Sequence, residues 1–167
     1  MVMLRRLKKE DAPLMLEWMH NRVNNDIFQT NFTSMKKEDV ENFIEHSYSQ
    51  TNQHFAIVEE NDEYLGTISL KNIDQKNKNA EYAISIRDIA KGKGIAALAT
   101  EQILKYAFNE LQLDRIYLCV LNINKRANRF YEKFGFVYEG KFRNHLHNDL
   151  GYHDLLWYGL LKDEYNE

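Results

Sequence analysis

Residues 116–121 read Ile-Tyr-Leu-Cys-Val-Leu, apolar at every position. A strand with one face in water alternates apolar and polar residues, so a run without alternation marks a strand covered on both faces, in the middle of a sheet. Such a strand needs a layer on each side, and helical patterns flank it in the chain. Ile95, Ala99, Ile103 and Ala107 step by four, with Leu98, Leu104, Phe108 and Leu111 beside them and Glu101 spaced to pair with Lys105 on the outer face. Ala127, Phe130, Tyr131 and Phe134 fit a second stripe, and Gly135 stands where a left-handed residue would end it. Upstream, a short strand (3–5) precedes two helices, one carrying Leu14, Met15, Trp18 and Met19 with Pro13 able to begin it, the other Val40, Phe43, Ile44 and Tyr48. Strand-like runs at 54–59 and 64–70 are separated by a polar turn, and a third (81–86) follows the polar segment 72–79. Two closing strands, 136–142 and 152–161, are joined by a polar loop. The order β-α-α-β-β-β-α-β-α-β-β predicts an α/β layer structure with a mixed sheet of about seven strands and about four helices.

The length of 167 residues suits one sizeable core, and no Pro/Ser/Gly-rich linker or repeat divides it, so residues 1–167 are read as one domain. The apolar share of 44% and aromatic share of 13% are those of a folding chain. A net charge of −3 supplies no general field for a polyanion, which argues against nucleic acid as a partner. Cys119 is the only cysteine, so no internal disulfide can form, and a buried structural thiol is the reading preferred to a nucleophile. No apolar run approaches the ~20 residues that span a bilayer, and residues 1–6 lack the apolar core of a signal peptide. A cytoplasmic protein without a membrane partner is expected, as a monomer or homodimer.

Between the strand ending near Ile86 and the helix beginning near Ile95 lies Lys91-Gly92-Lys93-Gly94-Ile95-Ala96. Glycine permits positive φ, so successive N–H groups can converge on one anion, and the helix N-terminus adds partial positive charge. Alone, a Gly-x-Gly turn reads more readily as a solvated bend; the strand before it and the helix after it shift the balance towards an anion cradle. The spacing is not that of a P-loop, and Asp114 precedes the next strand where a dinucleotide fold would have an acid at its end.

These residues carry a resemblance. The turn resembles the Arg/Gln-x-x-Gly-x-Gly/Ala motif of the GNAT superfamily of N-acetyltransferases, with Gly94 and Ala96 in the last two places and Lys91 where the family generally has Arg or Gln. Asn124, Ala127 and the run Tyr131-Glu132-Lys133-Phe134-Gly135-Phe136 are similar to a second family segment. The likeness extends over the N-terminal strand and helix pair and the Glu-Gly-x-x-Arg stretch ending at Arg143. It implies a mostly antiparallel sheet, acetyl-CoA as cosubstrate, a primary amine of a small molecule as acceptor, and no metal. It also implies cofactor contacts from Ile84, Ser85 and Ile86, where a backbone N–H would meet the thioester oxygen, and from Lys91, Gly92, Lys93, Gly94, Ile95, Ala96, Asn124 and Lys133.

Acetyl transfer needs a free amine, yet an alkyl amine with a pKa near ~10 is mostly protonated at neutral pH. Glu81, opening the strand that leads to the turn, is proposed as general base, directly or through water; it reads equally as a surface carboxylate at a strand end. Tyr131 is a packed aromatic on one reading. The resemblance implies instead that its phenol donates a proton to the departing CoA thiolate. Asn124 would contact the pantetheine arm or the amine, or cap its helix, and the roles are compatible.

For the acceptor, the sequence leans towards a UDP-linked amino sugar in preference to spermidine. Residues 65–74, Glu81-Tyr82 and 131–136 are similar to acetyltransferases that modify amino-sugar nucleotides in pseudaminic acid synthesis, whereas the whole pattern resembles the branch that acetylates ribosomal-protein N-termini and polyamines. A nucleotide-sugar diphosphate needs cationic partners, and Arg22, Arg143, His145 and His147 are candidates. A polyamine would need carboxylates. Other acyl donors, or a sensor that binds CoA without chemistry, are the competing readings. The imidazoles of 145–153 suggest metal ligation, but a solvated strand connection is the preferred reading.

Overall fold

The computed structural model describes residues 1–21, 25, 28 and 30–165. Its strands are β1 (Met3–Arg6), β2 (Gln53–Val58), β3 (Tyr64–Asp74), β4 (Asn79–Ile86), β5 (Arg115–Leu121), β6 (Val137–Asn148) and β7 (Gly151–Leu161). They form one seven-stranded sheet in the order β1-β2-β3-β4-β5-β7-β6. The α-helices among the described residues are α1 (Ala12–Met19), α2 (Lys37–Glu45), α3 (Ile95–Lys105) and α4 (Lys125–Phe134).

Successive side chains of a strand point to opposite faces, and the two hydrophobic clusters follow that alternation. On β2, Ala56 and Val58 join Met15, Trp18, Val40 and Ile44 of α1 and α2. Ile57 between them joins Ile68 and Leu70 of β3, Ile103 of α3 and Ile116 and Leu118 of β5 on the other face. Each such fully buried aliphatic side chain contributes about 1.5–3 kcal/mol relative to exposure.

Pro13 stands in the first turn of α1. The helical pattern seen through Ala107 and Leu111 continues beyond α3 as one wide turn, Tyr106–Glu110, in which the Leu111 N–H donates to the Tyr106 carbonyl at 3.0 Å. α4 starts at Asn124, whose Oδ1 accepts from the Ala127 N–H at 3.3 Å. It stops at Gly135, φ +110°, where the Phe136 N–H reaches back to the Tyr131 carbonyl at 3.0 Å.

Adjacent strands are antiparallel except β4 and β5. That parallel pair is in register only at Asn79↔Arg115, Ala80↔Ile116 and Glu81↔Tyr117. Beyond Glu81 the two strands part, and the edge that β4 would offer β5 is left without a strand partner. The fold thereby opens a cleft in the middle of its own sheet.

Two expectations change. β5 is central, and Ile116, Leu118 and Val120 on one face are buried, but on the other only Leu121 at its end is buried while Tyr117 and Cys119 are half-buried. That face borders the cleft, and the Trp157 ring lies over Tyr117 at 6.1 Å. The polar loop expected between the closing strands is also mostly strand. Leu146↔His153, His147↔Tyr152 and Asn148↔Gly151 pair down to a tight turn. β6 is an edge strand exposed along most of its length, and its register shifts at Tyr138/Gly140 and Phe142/Leu146. Polar residues on such an edge satisfy the ladder while facing water, so composition does not separate it from a loop.

Candidate active site

Two cavities open where β4 and β5 part. The larger, about 420 Å³, runs from Ile84, Ser85 and Ile86 past Lys91, Gly92, Gly94 and Ala96 to Asn124, Ala127 and Tyr131 on the opposite side. Gly92 and Gly94 adopt φ +76° and +75°, and Gly94 is the N-cap of α3. The first-turn N–H groups of α3 have no intrahelical acceptor and face this turn, so the cradle fits a phosphate anion. The Lys91 ammonium lies 2.6 Å from Asp88 Oδ1 while lining the cleft.

Not every expected cofactor residue is brought here. Ile95, 4% exposed, directs its side chain into the core. Only its backbone can serve the cradle, since the inward stripe of α3 begins with it. Lys93 and Lys133 are exposed and absent from the lining of this cleft. Arg126, Ala97 and Phe130 line it although the sequence reading missed them. The signal was available for Arg126, which lies in the first turn of a helix whose start faces the glycine turn.

The second cavity, about 180 Å³, contains Glu81 and Tyr131 together with Ser85, Cys119 and Asn124. Glu81 is 17% exposed, and its Oε2 meets Lys71 Nζ at 3.1 Å, its cross-strand neighbour on β3. It is a cleft carboxylate, not a freely solvated strand end. Tyr131 is 8% exposed and lines both cavities, so its phenol stands where they meet. Burial pushes that phenol well above its ordinary pKa, which keeps it protonated. Its ring packs on Tyr82 and Phe136, each at 5.8 Å. Asn124 lines both cavities while capping α4. Cys119 is half-buried and borders the cavity instead of lying sealed in the core. Desolvation, with the Glu81 charge beside it, pushes the thiol up to about 12, so at neutral pH it is no thiolate nucleophile.

The expected acceptor residues fare differently. Arg22 lies outside the described residues. Arg143, His145 and His147 are exposed on β6 and line neither cavity; the His145 ring packs on Phe142 at 5.2 Å and the His147 ring on Tyr152 at 4.6 Å. The hairpin extension turns that segment into sheet edge, so it is not a loop folded over the cleft. His153 Nε2 lies 2.8 Å from Asn148 Oδ1. Among the described residues no group of three or more His, Cys, Asp or Glu side chains could hold a metal ion.

A third cavity, about 210 Å³, continues from Lys71, Ala83, Ile84 and Ser85 to the underside of α1 and α2. His54 faces it, with Nδ1 at 2.6 Å from Ser69 Oγ, and burial, helped by the Lys71 charge, lowers its pKa from 6.5 to about 4. The unfolded chain then binds a proton below pH ~6.5 that the folded protein refuses, so stability falls as pH drops through this window and levels off near the folded pKa. The loss expected from this group is about 3 kcal/mol. Urea unfolding at pH 7 and pH 4.5 should give wild type a larger loss than His54→Gln; equal losses would contradict it.

A sheet split at one parallel pair, a glycine cradle at a helix N-terminus beside it, and a carboxylate and a phenol sharing the gap define an acyl-transfer enzyme of the α/β class. The chain belongs to the GNAT acetyltransferase family, whose domain matches residues 2–137. A Bacillus subtilis (strain 168) protein provisionally named a ribosomal N-acetyltransferase is 41% identical over 100 residues, 60% of this chain and 55% of that relative's length. The spermidine N(1)-acetyltransferase of Escherichia coli (strain K12) is 32% identical over 147 residues, 84% of this chain and 75% of that one. The crystal structure of spermidine N-acetyltransferase from Vibrio cholerae in complex with CoA and spermine superposes with a TM-score of 0.89 at 25% identity, covering 98% of this chain and 96% of that one. No helix among the described residues is long and apolar enough to cross a membrane.

Proposed function

We propose that the protein moves the acetyl group of acetyl-CoA directly onto a primary amine, with both substrates bound together. The observation that carries this reading is the shared cavity of Glu81 and Tyr131, which meets the glycine-lined cleft at Ile84 and Ser85. The pyrophosphate of CoA would lie on the N–H groups around Gly92 and Gly94, with Arg126 supplying charge from the opposite wall. The pantetheine arm would run between β4 and β5 beside Asn124. The thioester oxygen would take an N–H from the unpaired edge of β4 near residues 84–86 as negative charge develops on it. Glu81 accepts the ammonium proton, directly or through water, and the freed amine attacks the carbonyl carbon. The C–S bond then breaks as the Tyr131 phenol donates to the sulfur, and the proton that the attacking nitrogen sheds passes through water to restore the phenol, leaving a neutral amide and the CoA thiol. The neutral Cys119 thiol supports direct transfer over an acyl-cysteine intermediate.

Acetyl-CoA turnover, read as CoA release against a panel of amines, tests the reaction. Glu81→Gln should lower the rate at pH 7 by about 10- to 100-fold and leave a rate that climbs with pH as the free-amine fraction grows, because an amide cannot accept the proton. A wild-type profile in that variant would remove Glu81 from the mechanism. A UDP-linked amino sugar was the favoured acceptor on sequence; a polyamine is the second reading, favoured by the spermidine acetyltransferase relatives. An N-terminal peptide is favoured by the ribosomal one.

A further inference from the structure

The cavity beneath α1 and α2 distinguishes these acceptors by its walls. Among the described residues it is bounded by Met15, Trp18, Met19, Phe32, Met35 and Phe43, and it shares Lys71, Ala83, Ile84 and Ser85 with the Glu81 cavity. An amine held at Glu81 would therefore extend its body into this space. Phe28, Phe32 and Trp18 form an edge-to-face triad with centroids 5.2–6.0 Å apart, and Phe28 also borders the CoA cleft. The polar groups along the wall are satisfied by one another. Trp18 Nε1 donates to the Tyr64 hydroxyl at 2.9 Å, which lies 2.6 Å from Thr67 Oγ1, and Ser69 holds His54. Glu81 and Lys71 are the charged side chains lining the Glu81 cavity among the described residues, and they neutralise each other across 3.1 Å. Among the described residues nothing there balances the further ammonium groups of a polyamine or the diphosphate of a nucleotide sugar.

We infer that the acceptor is a primary amine carried on a compact apolar body, of the arylalkylamine kind, with the nitrogen at Glu81 and the body among the methionines and aromatics under α1 and α2. This rests on the acetyl-transfer reading above. Size agrees, since an apolar cavity of about 150 Å³ accepts benzene and this one holds about 210 Å³. Three methionines in the wall adapt to bodies of different shape, which predicts a family of apolar amines over one exclusive substrate.

The chain has two tryptophans, so in Trp157→Phe the remaining fluorescence comes from Trp18 in the cavity wall. Saturable change in that signal with 2-phenylethylamine, in the presence of CoA, is expected. Turnover should give 2-phenylethylamine at least a tenfold higher kcat/KM than spermidine or a UDP-linked amino sugar. A tripeptide amide beginning with Phe distinguishes a free amine from a peptide end carrying the same chemistry. Ala83→Phe, which fills the space, should weaken 2-phenylethylamine at least tenfold and leave CoA affinity within threefold. If that variant does not fold, Met35→Glu at the half-buried rim serves, and should lower kcat/KM for 2-phenylethylamine while raising it for spermidine. Turnover of spermidine or the amino sugar above the aryl amine would overturn the inference and leave acetyl transfer standing. Saturable Trp18 binding with no turnover of any amine would overturn acetyl transfer and leave the cavity assignment standing. Absence of any Trp18 response would overturn the assignment whatever the turnover.

Discussion

Tyr131→Phe is expected to lower kcat by about 10²- to 10⁴-fold, the span general acid catalysis usually contributes, while CoA affinity stays within threefold. The reasoning separates ring from hydroxyl. The ring is packed among Tyr82, Phe130 and Phe136 at 5.5–5.8 Å, and phenylalanine preserves all of that. No hydrogen-bond partner for the hydroxyl is found among the described residues, so its removal breaks no bond that holds the fold. The melting temperature should then move by no more than about 2 °C. Burial holds the phenol protonated through the assay range, so wild type shows no limb from Tyr131 in its pH profile. With its pKa raised so far, full transfer to a thiolate of ordinary pKa near ~8.5 would be uphill. The phenol therefore acts chiefly as a hydrogen-bond donor that strengthens as charge grows on sulfur, which is an effect on the transition state and not on binding. Parallel losses of kcat and melting temperature would assign Tyr131 to packing instead.

The legible parts of this fold and site were those in which a single residue type answers a local need. Gly135 had to be glycine-like to end α4, and the stripes Ile95 to Ala107 and Ala127 to Phe134 gave two helices and their inward faces. Asn124 could be read as a cap because the capping requirement is local. The cleft was less legible, since it arises from a missing ladder between β4 and β5, and no residue in either strand announces that pairing stops after Glu81 and Tyr117. Tyr117 and Cys119 look like core in the sequence for that reason. The position of Arg143, His145 and His147 on an edge strand was not legible, because a polar segment is compatible with a loop and with a solvent-facing edge strand. The apolar cavity beneath α1 and α2 could not be read at all. Met15, Trp18 and Met19 on α1 and Phe43 on α2 are ordinary core stripes in sequence, and only the packing of the two helices over β3 and β4 leaves a space between them.

Gly94→Asp is expected to weaken CoA binding by about 100-fold, about 2.7 kcal/mol, in a protein that remains folded. Steric bulk is not the cause, because a β-carbon at Gly94 would meet nothing within 4 Å. The backbone at φ +75° does impose strain, about 1–2 kcal/mol for a residue with a side chain and less for Asp, which tolerates this conformation better than most. A carboxylate at the N-cap of α3 is moreover favourable to the helix itself, since it meets unpaired N–H groups and the positive end of the dipole. That gain is the difficulty for the ligand: the variant supplies its own anion to the cradle, and pyrophosphate must displace it and then sit beside its charge. Gly94→Ala separates the contributions, because it carries the strain without the anion and should cost less than tenfold in affinity. The like-charge part should also shrink at high salt, where exposed charges are screened. Titration of CoA calorimetrically at two ionic strengths checks both. An Asp variant that binds CoA as wild type does, with an intact melting curve, would mean the phosphate groups lie elsewhere than on the turn at Gly92 and Gly94.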